Sequence, residues 1–167
     1  MKQYKVALIG LGRIAWRGFP ENQNAETHLK TIQSHPALEL VACVDIDADV
    51  RAEFTESTGI ETWVGTGIPE CDIAVVCTPP ESHADYIDGL VDRGNIRAIL
   101  CGHVHELSFQ KRAGVHVVSA PTTAWCANPA ANRGLMTVTA GAKSLTVRFI
   151  PLGDVEGAAE SVKTLEW

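Results

Sequence analysis

Apolar and polar positions follow two different rhythms along this chain. Up to about residue 101, short runs with little alternation, "YKVALIG" (4–10), "LELVACVD" (38–45), "DIAVVCTP" (72–79) and "IRAILC" (96–101), are separated by longer mixed segments. Strands apolar on both sides suit a parallel sheet covered by helices on both faces. The mixed segments carry helical spacing. One helix is predicted to end near "THLKTIQSH", a second lies in "DADVRAEFTEST" and a third in "ESHADYIDGLVDRG". In the third, Ser82 is placed to cap, and Tyr86, Ile87, Leu90 and Val91 recur at helical intervals. "IETWVG" predicts a further strand. Only "IPE" separates "WVGTG" from "CDIAVV", too little for a parallel crossover, so a degenerate crossover is expected there.

After Gly102 the rhythm changes to period two. "ELSFQKR" and "VHVVSAP" read as strands around the turn Ala113-Gly114, and "GLMTVTA" and "LTVRFIPL" as a second hairpin around "GAKS", with "NPAANRG" a loop between them. The tail "GDVEGAAESVKTLEW" is polar and reads as frayed or weakly helical. The fold class expected is α/β: a Rossmann-like doubly wound parallel sheet followed by antiparallel β-hairpins. The division expected is a dinucleotide-binding domain over 1–101, a β-rich segment over 102–152 and a polar tail over 153–167. "VHVVSAP" is expected to pair beside "IRAILC" and cover an otherwise open sheet edge. An uncovered face would instead favour a homo-oligomer.

Composition narrows the function classes. The 167 residues are 46% hydrophobic and 20% charged, a globular composition of one domain or one with a small appendage. A net charge of −6 without a basic cluster argues against nucleic acid or an anionic membrane as partner. The apolar runs are strand-length, short of a membrane span. "MKQYKVALIG" lacks a small-residue cleavage site and reads as a first strand rather than a signal peptide. Five cysteines without a CxxC pair, three of them in apolar runs, read as free thiols in a reducing cytoplasm.

The first candidate site follows the first strand. Gly10-Leu11-Gly12-Arg13-Ile14-Ala15 is the GxGxxA form of the dinucleotide fingerprint. Gly10 permits the tight turn, Gly12 lets a pyrophosphate approach the backbone, and Ala15 lets the following helix pack close to the sheet. The helix start offers unpaired N–H groups to the phosphates. A second strand ends in Asp45, where a carboxylate would accept from the adenosine ribose hydroxyls, and "WRGFPENQNAETH" accounts for the long spacing. Asp45 and Asp47 together would repel a 2′-phosphate, so NAD is favoured over NADP, with Arg51 the one nearby cation on the other side of the balance. The alternative is that the glycines only make a sharp turn and Asp45 only caps the next helix.

"KVALIGLGRIA", "HLKTIQSHPALELVACVDID", "CDIAVVCTPPESHADYI" and "AILC" together resemble the N-terminal domain of the glucose–fructose oxidoreductase/inositol dehydrogenase (Gfo/Idh/MocA) family, over about residues 3–101. The resemblance implies that Thr78, Pro79 and His83 sit beside the nicotinamide end of a bound dinucleotide and that the substrate is a small polyol or sugar-like molecule. His83 is then the one candidate catalytic residue. From its position alone it reads equally as a helix-surface histidine. Members of the family continue after "LC" with Glu-Lys-Pro, whose lysine assists hydride and proton transfer. Here Gly102-His103-Val104-His105 follows Cys101, and the family's long substrate domain is expected to be missing.

"GHVHE" carries a second resemblance, to the final motif of calcineurin-like metallophosphoesterases, extending over about residues 101–152. In an extended segment His103 and His105 point the same way, so both could reach one divalent metal. The family's earlier ligand motifs, Asp-x-His and Gly-Asp-x-x-Asp, do not occur, and a two-metal site needs them. His28, His35 and His116 stand alone and read as surface or core histidines; Trp16, Trp63, Trp125 and Trp167 are scattered and make no base-stacking platform. The readings carried forward are an NAD(P)-binding oxidoreductase-like protein, a metal-binding phosphoesterase remnant, and a non-enzymatic hybrid of two truncated halves.

Overall fold

A computed structural model of the chain describes residues 3–18, 27–102, 107–120, 134–151 and 160–167. Among them β1 (Tyr4–Ile9), β2 (Leu38–Val44), β3 (Thr62–Trp63), β4 (Ile73–Val76), β5 (Ala98–Cys101), β6 (Ser108–Arg112) and β7 (Val115–Ser119) form one sheet in the order β3-β2-β1-β4-β5-β7-β6. Every pairing is parallel except the β6–β7 hairpin. The chain runs outward from β1 to β3, then returns to place β4 on the other side of β1. That reversal is the topological switch point of a doubly wound sheet.

Successive strand residues face opposite sides, which explains the unbroken apolar runs. On one face Leu8 packs with Leu29 of α1 (His28–Ser34) and Phe54 of α2 (Ala48–Thr58), while Val6 meets Ile32. On the other, Ala7, Ile9, Val76 and Ile99 pack against Ile87 and Leu90 of α3 (His83–Val91). Tyr86, Ile87, Leu90 and Val91 are all buried, as their spacing predicts. Ser82 does not cap α3. A short turn over Pro80–Ser82 leads straight into the helix, and the Ser82 hydroxyl donates back to the Pro79 carbonyl at 2.9 Å.

The degenerate crossover is present. β3 contributes two residues, pairing Cys43 with Thr62 and Val44 with Trp63, and the described chain reaches β4 without a helix. Arg93, at the end of α3, donates to the carbonyls of Thr66 (2.7 Å) and Ile68 (2.5 Å), so this irregular stretch has partners for its buried backbone.

β7 pairs parallel with β5, Ala98 opposite His116 through Cys101 opposite Ser119, as the sequence suggests. The β6–β7 turn places Ala113 at φ 45° and Gly114 at φ 90°. A second, antiparallel sheet holds β8 (Gly134–Ala140), β9 (Ser144–Pro151) and β10 (Ser161–Glu166) in the order β10-β9-β8. β10 corrects the expectation of a frayed or helical tail. Its apolar signal is almost nil because Leu165 alone is buried, and its order comes from pairing with β9, Ser161 with Phe149 through Glu166 with Ser144.

Leu145, Val147 and Leu165 of this sheet pack on Ala98 and Val118, on the face that α1 also covers. The Tyr4 hydroxyl donates to the Gly141 carbonyl, and the ring of His116 bonds the Glu166 carbonyl at 2.8 Å. His116 is therefore a core histidine joining two layers. No described helix is long and apolar enough to cross a membrane.

Candidate functional site

At the carboxyl ends of β1, β2 and β4 the switch point opens into a cleft of about 610 Å³. Its floor is the glycine loop. Gly10 has φ +87°, and a Cβ there would lie 2.8 Å from the Thr78 nitrogen and 2.9 Å from the Cys77 carbonyl carbon. Only glycine fits, because the loop passes directly under the end of β4. Gly12 differs. Its φ of −82° suits any residue, and a Cβ would meet nothing within 4 Å. The protein itself gives no steric reason for a glycine at position 12.

Asp45 closes the cleft from the β2 side. Its Oδ2 accepts the Leu11 N–H at 2.8 Å and its Oδ1 the Asp47 N–H at 2.9 Å. A carboxylate has about four acceptor positions, so two stay available. The helix cap is Asp47, which accepts from Asp49 (2.9 Å) and Val50 (3.3 Å). Asp45 therefore does not serve as a mere cap. The Arg51 guanidinium donates to the carbonyls of Asp45 and Ile46, both at 2.9 Å.

Thr78 and Pro79 line the opposite wall with Tyr86. The Thr78 hydroxyl oxygen is buried without a partner among the described residues. His83 lies behind the wall. It is 9% exposed, and its Nε2 sits 2.8 Å from the Thr78 carbonyl. A carbonyl can only accept, so Nε2 carries the proton, and the helix-surface alternative for His83 falls. Burial, and then the charge of Asp45, push the Tyr86 phenol above its usual range, so it stays a hydrogen-bond donor. Sequence reasoning took Tyr86 only for a core residue; its place one turn into the helix after β4 is the signal that would have found it.

The cleft thus brings together Gly10, Gly12, Asp45, Thr78 and Pro79. Arg13 and Ile14 sit exposed beside it, and Ala15 is fully buried against Leu8 and Phe54, where a larger side chain would hold the turn off the sheet. The helical stretch described after the loop is one turn, Arg13–Arg17, closed by Gly18 N–H to the Arg13 carbonyl at 2.8 Å. This is shorter than the helix expected there. It gives a few free N–H groups rather than a long dipole. Open space over Gly12, spare acceptors on Asp45 and an orphaned hydroxyl on Thr78 fit an elongated polar ligand such as a dinucleotide.

His103 and His105 lie outside the described residues. Among those described, no group of three or more His, Cys, Asp or Glu is placed to hold a metal.

A proposed UDP-kanosamine synthase oxidoreductase subunit of Amycolatopsis mediterranei is 33% identical over 93 residues, covering 54% of this chain and 24% of that protein. The chain therefore spans about a quarter of the length of this relative. Among solved structures, a 3-ketoreductase from Actinomadura kijaniata in complex with NADP and TDP-benzene is 26% identical (TM-score 0.47, covering 60% of this chain and 29% of that one). A myo-inositol dehydrogenase from Corynebacterium glutamicum is 28% identical (TM-score 0.45, covering 60% and 28%). Residues 4–103 match the oxidoreductase family with an NAD-binding Rossmann fold, Gfo/Idh/MocA, so over that span, from the start of β1 past the end of β5, this chain belongs to that family.

Proposed function

We propose that the cleft binds NAD(H) and that the chain is the cofactor-holding part of an oxidoreductase acting on a sugar-like or polyol hydroxyl. The observation that carries this is the pairing of an unobstructed Gly12 with an Asp45 carboxylate that retains two acceptor positions. Asp45 would take the adenosine ribose hydroxyls, Gly12 would let the pyrophosphate lie against the backbone, and Thr78 and Pro79 would border the nicotinamide end. When bound, the nicotinamide supplies the hydride acceptor or donor.

The acidic Asp45 supports NAD over NADP. No Lys or Arg lines the cleft among the described residues; Arg51 is already engaged by two carbonyls, and Arg13 lies exposed beside the cleft. A 2′-phosphate would meet the Asp45 carboxylate, with Arg13 the cation beside the cleft to set against that repulsion. His83, tied to the Thr78 carbonyl, acts by setting the wall rather than by moving a proton. No lysine or free histidine among the described residues borders the cleft, so the proposal for these residues is cofactor binding. The sugar class rests on the UDP-kanosamine-linked relative. The four cysteines among the described residues are free and buried or half-buried, which supports a reducing compartment.

Calorimetric titration with NADH and, separately, NADPH tests the reading, repeated with Asp45→Ala. Saturable binding that favours NADH, weakened and made less selective by the substitution, is expected. Failure of both nucleotides to bind would overturn it.

A further inference from the structure

We propose that the indole of Trp16 is a positioning residue for the phosphate-binding loop, fixing the Leu11–Gly12 peptide so that the Gly12 N–H faces the cleft. This rests on the dinucleotide reading above. Leu11 is held from both sides. Its N–H donates to Asp45 Oδ2 at 2.8 Å, and its carbonyl accepts from Trp16 Nε1 at 2.6 Å. The described chain contains no cis peptide bond, so the Gly12 N–H points opposite the Leu11 carbonyl. That carbonyl is aimed at Trp16, on the packed side of the loop. Gly12 has open space beyond it and borders the cleft, and its N–H has no protein partner among the described residues.

The indole is itself fixed. Its ring meets the fully buried Phe54 edge-on, with centroids 5.1 Å apart. The Arg17 guanidinium lies 5.6 Å from the ring centroid and pairs with Glu53 of α2. A donor braced by α2 thus sets one peptide plane of the loop before any ligand arrives. Preorganised N–H groups bind anions better because they need not reorient on binding.

Trp16→Phe keeps an aromatic ring against Phe54 and removes the N–H together with the second ring. Affinity for NADH and for ADP-ribose, which carries the same pyrophosphate, should fall between about two- and tenfold, the range that loss of one neutral hydrogen bond allows. In ¹⁵N–¹H spectra of the unliganded protein the Gly12 amide should shift and exchange faster with solvent, while amides of β4 stay in place. Should Trp16→Phe not fold, Trp16→β-(3-benzothienyl)alanine keeps the bicyclic shape and deletes the donor. Unchanged affinity together with an unmoved Gly12 amide would overturn the proposal. If the wild-type chain binds no NADH, the dinucleotide reading fails instead. The unliganded spectrum then still decides the indole's role: a displaced Gly12 amide upholds it and an unmoved one ends it.

Discussion

Adding one methyl group at Gly12 separates what the fold needs from what a ligand needs. At φ −82° alanine is unstrained, and its Cβ would touch nothing within 4 Å. Gly→Ala at a compatible position stabilises by about 0.4–1 kcal/mol through the unfolded chain. For a chain of this size that raises Tm by about 2–4 °C at most. The same methyl would stand where a pyrophosphate must approach. Loss of one charge-assisted hydrogen bond costs about 1.5–3 kcal/mol, or roughly ten- to a hundredfold in Kd. Gly12→Ala should therefore melt at or slightly above the wild-type temperature and bind NADH at least tenfold more weakly. Gly10→Ala is the counterpart. At φ +87° with backbone atoms 2.8 and 2.9 Å from the new carbon, it should lower Tm and take binding with it. Differential scanning fluorimetry and calorimetry read both quantities on the same samples. A Gly12→Ala protein that binds NADH like the wild type would refute the assignment of this cleft, because no ligand would then occupy the space above that glycine.

Three further outcomes test the rest of the molecule. Burial pushes the thiols of Cys43 and Cys77 up to about 12 and that of Cys71 to about 11, from an ordinary value near 9. The folded state holds these protons more tightly than the unfolded one, so their contribution is complete below about pH 9 and is lost as pH rises through 9–12. Urea midpoints should fall from pH 8 to pH 10.5, and less so in Cys43→Ala; an equal fall in both would show that the thiol is not the cause. Ala113→Asn should raise Tm, since alanine at φ 45° is strained by about 1 kcal/mol and Asn-Gly is the favoured pair for this turn. A lower Tm would contradict the left-handed turn. Leu165→Ala should cost about 2–5 kcal/mol in denaturant unfolding, whereas the exposed Val162→Ala should stay within about 0.5 kcal/mol; similar small effects at both sites would mean that β10 does not dock.

What the sequence discloses and what it hides have separate physical causes. The parallel strands are legible because burial on both faces demands unbroken apolar runs, and Gly10 because a turn at positive φ under Thr78 accepts no other residue. Asp45 stands out as an acid ending a strand. Its bond to Leu11, 34 residues away, depends on the β1–β2 register and leaves no local mark. His83 is ambiguous in sequence because a helix-surface histidine and one turned inward to a carbonyl have the same spacing. β10 is hidden for the opposite reason to the others: its order comes from backbone pairing with β9, with one buried leucine to announce it. Trp16 reads as a scattered aromatic because nothing in sequence ties an indole to a carbonyl five residues earlier.

The second sheet solves a problem that the parallel sheet creates. Strands apolar on both faces must be covered on both. α3 covers one face, and α1 and α2 cover the other over β1 and β2. The remainder of that face, over β5 and β7, receives Leu145, Val147 and Leu165 in place of a helix. This cover also reaches β1 through the Tyr4 bond to Gly141, at the end of the strand away from the glycine loop. The cleft and the second sheet therefore meet opposite ends of the same central strand. Binding chemistry at Gly12 and Asp45 does not touch the β8–β10 layer, yet it depends on that layer through the stability of the strands whose ends form the cleft.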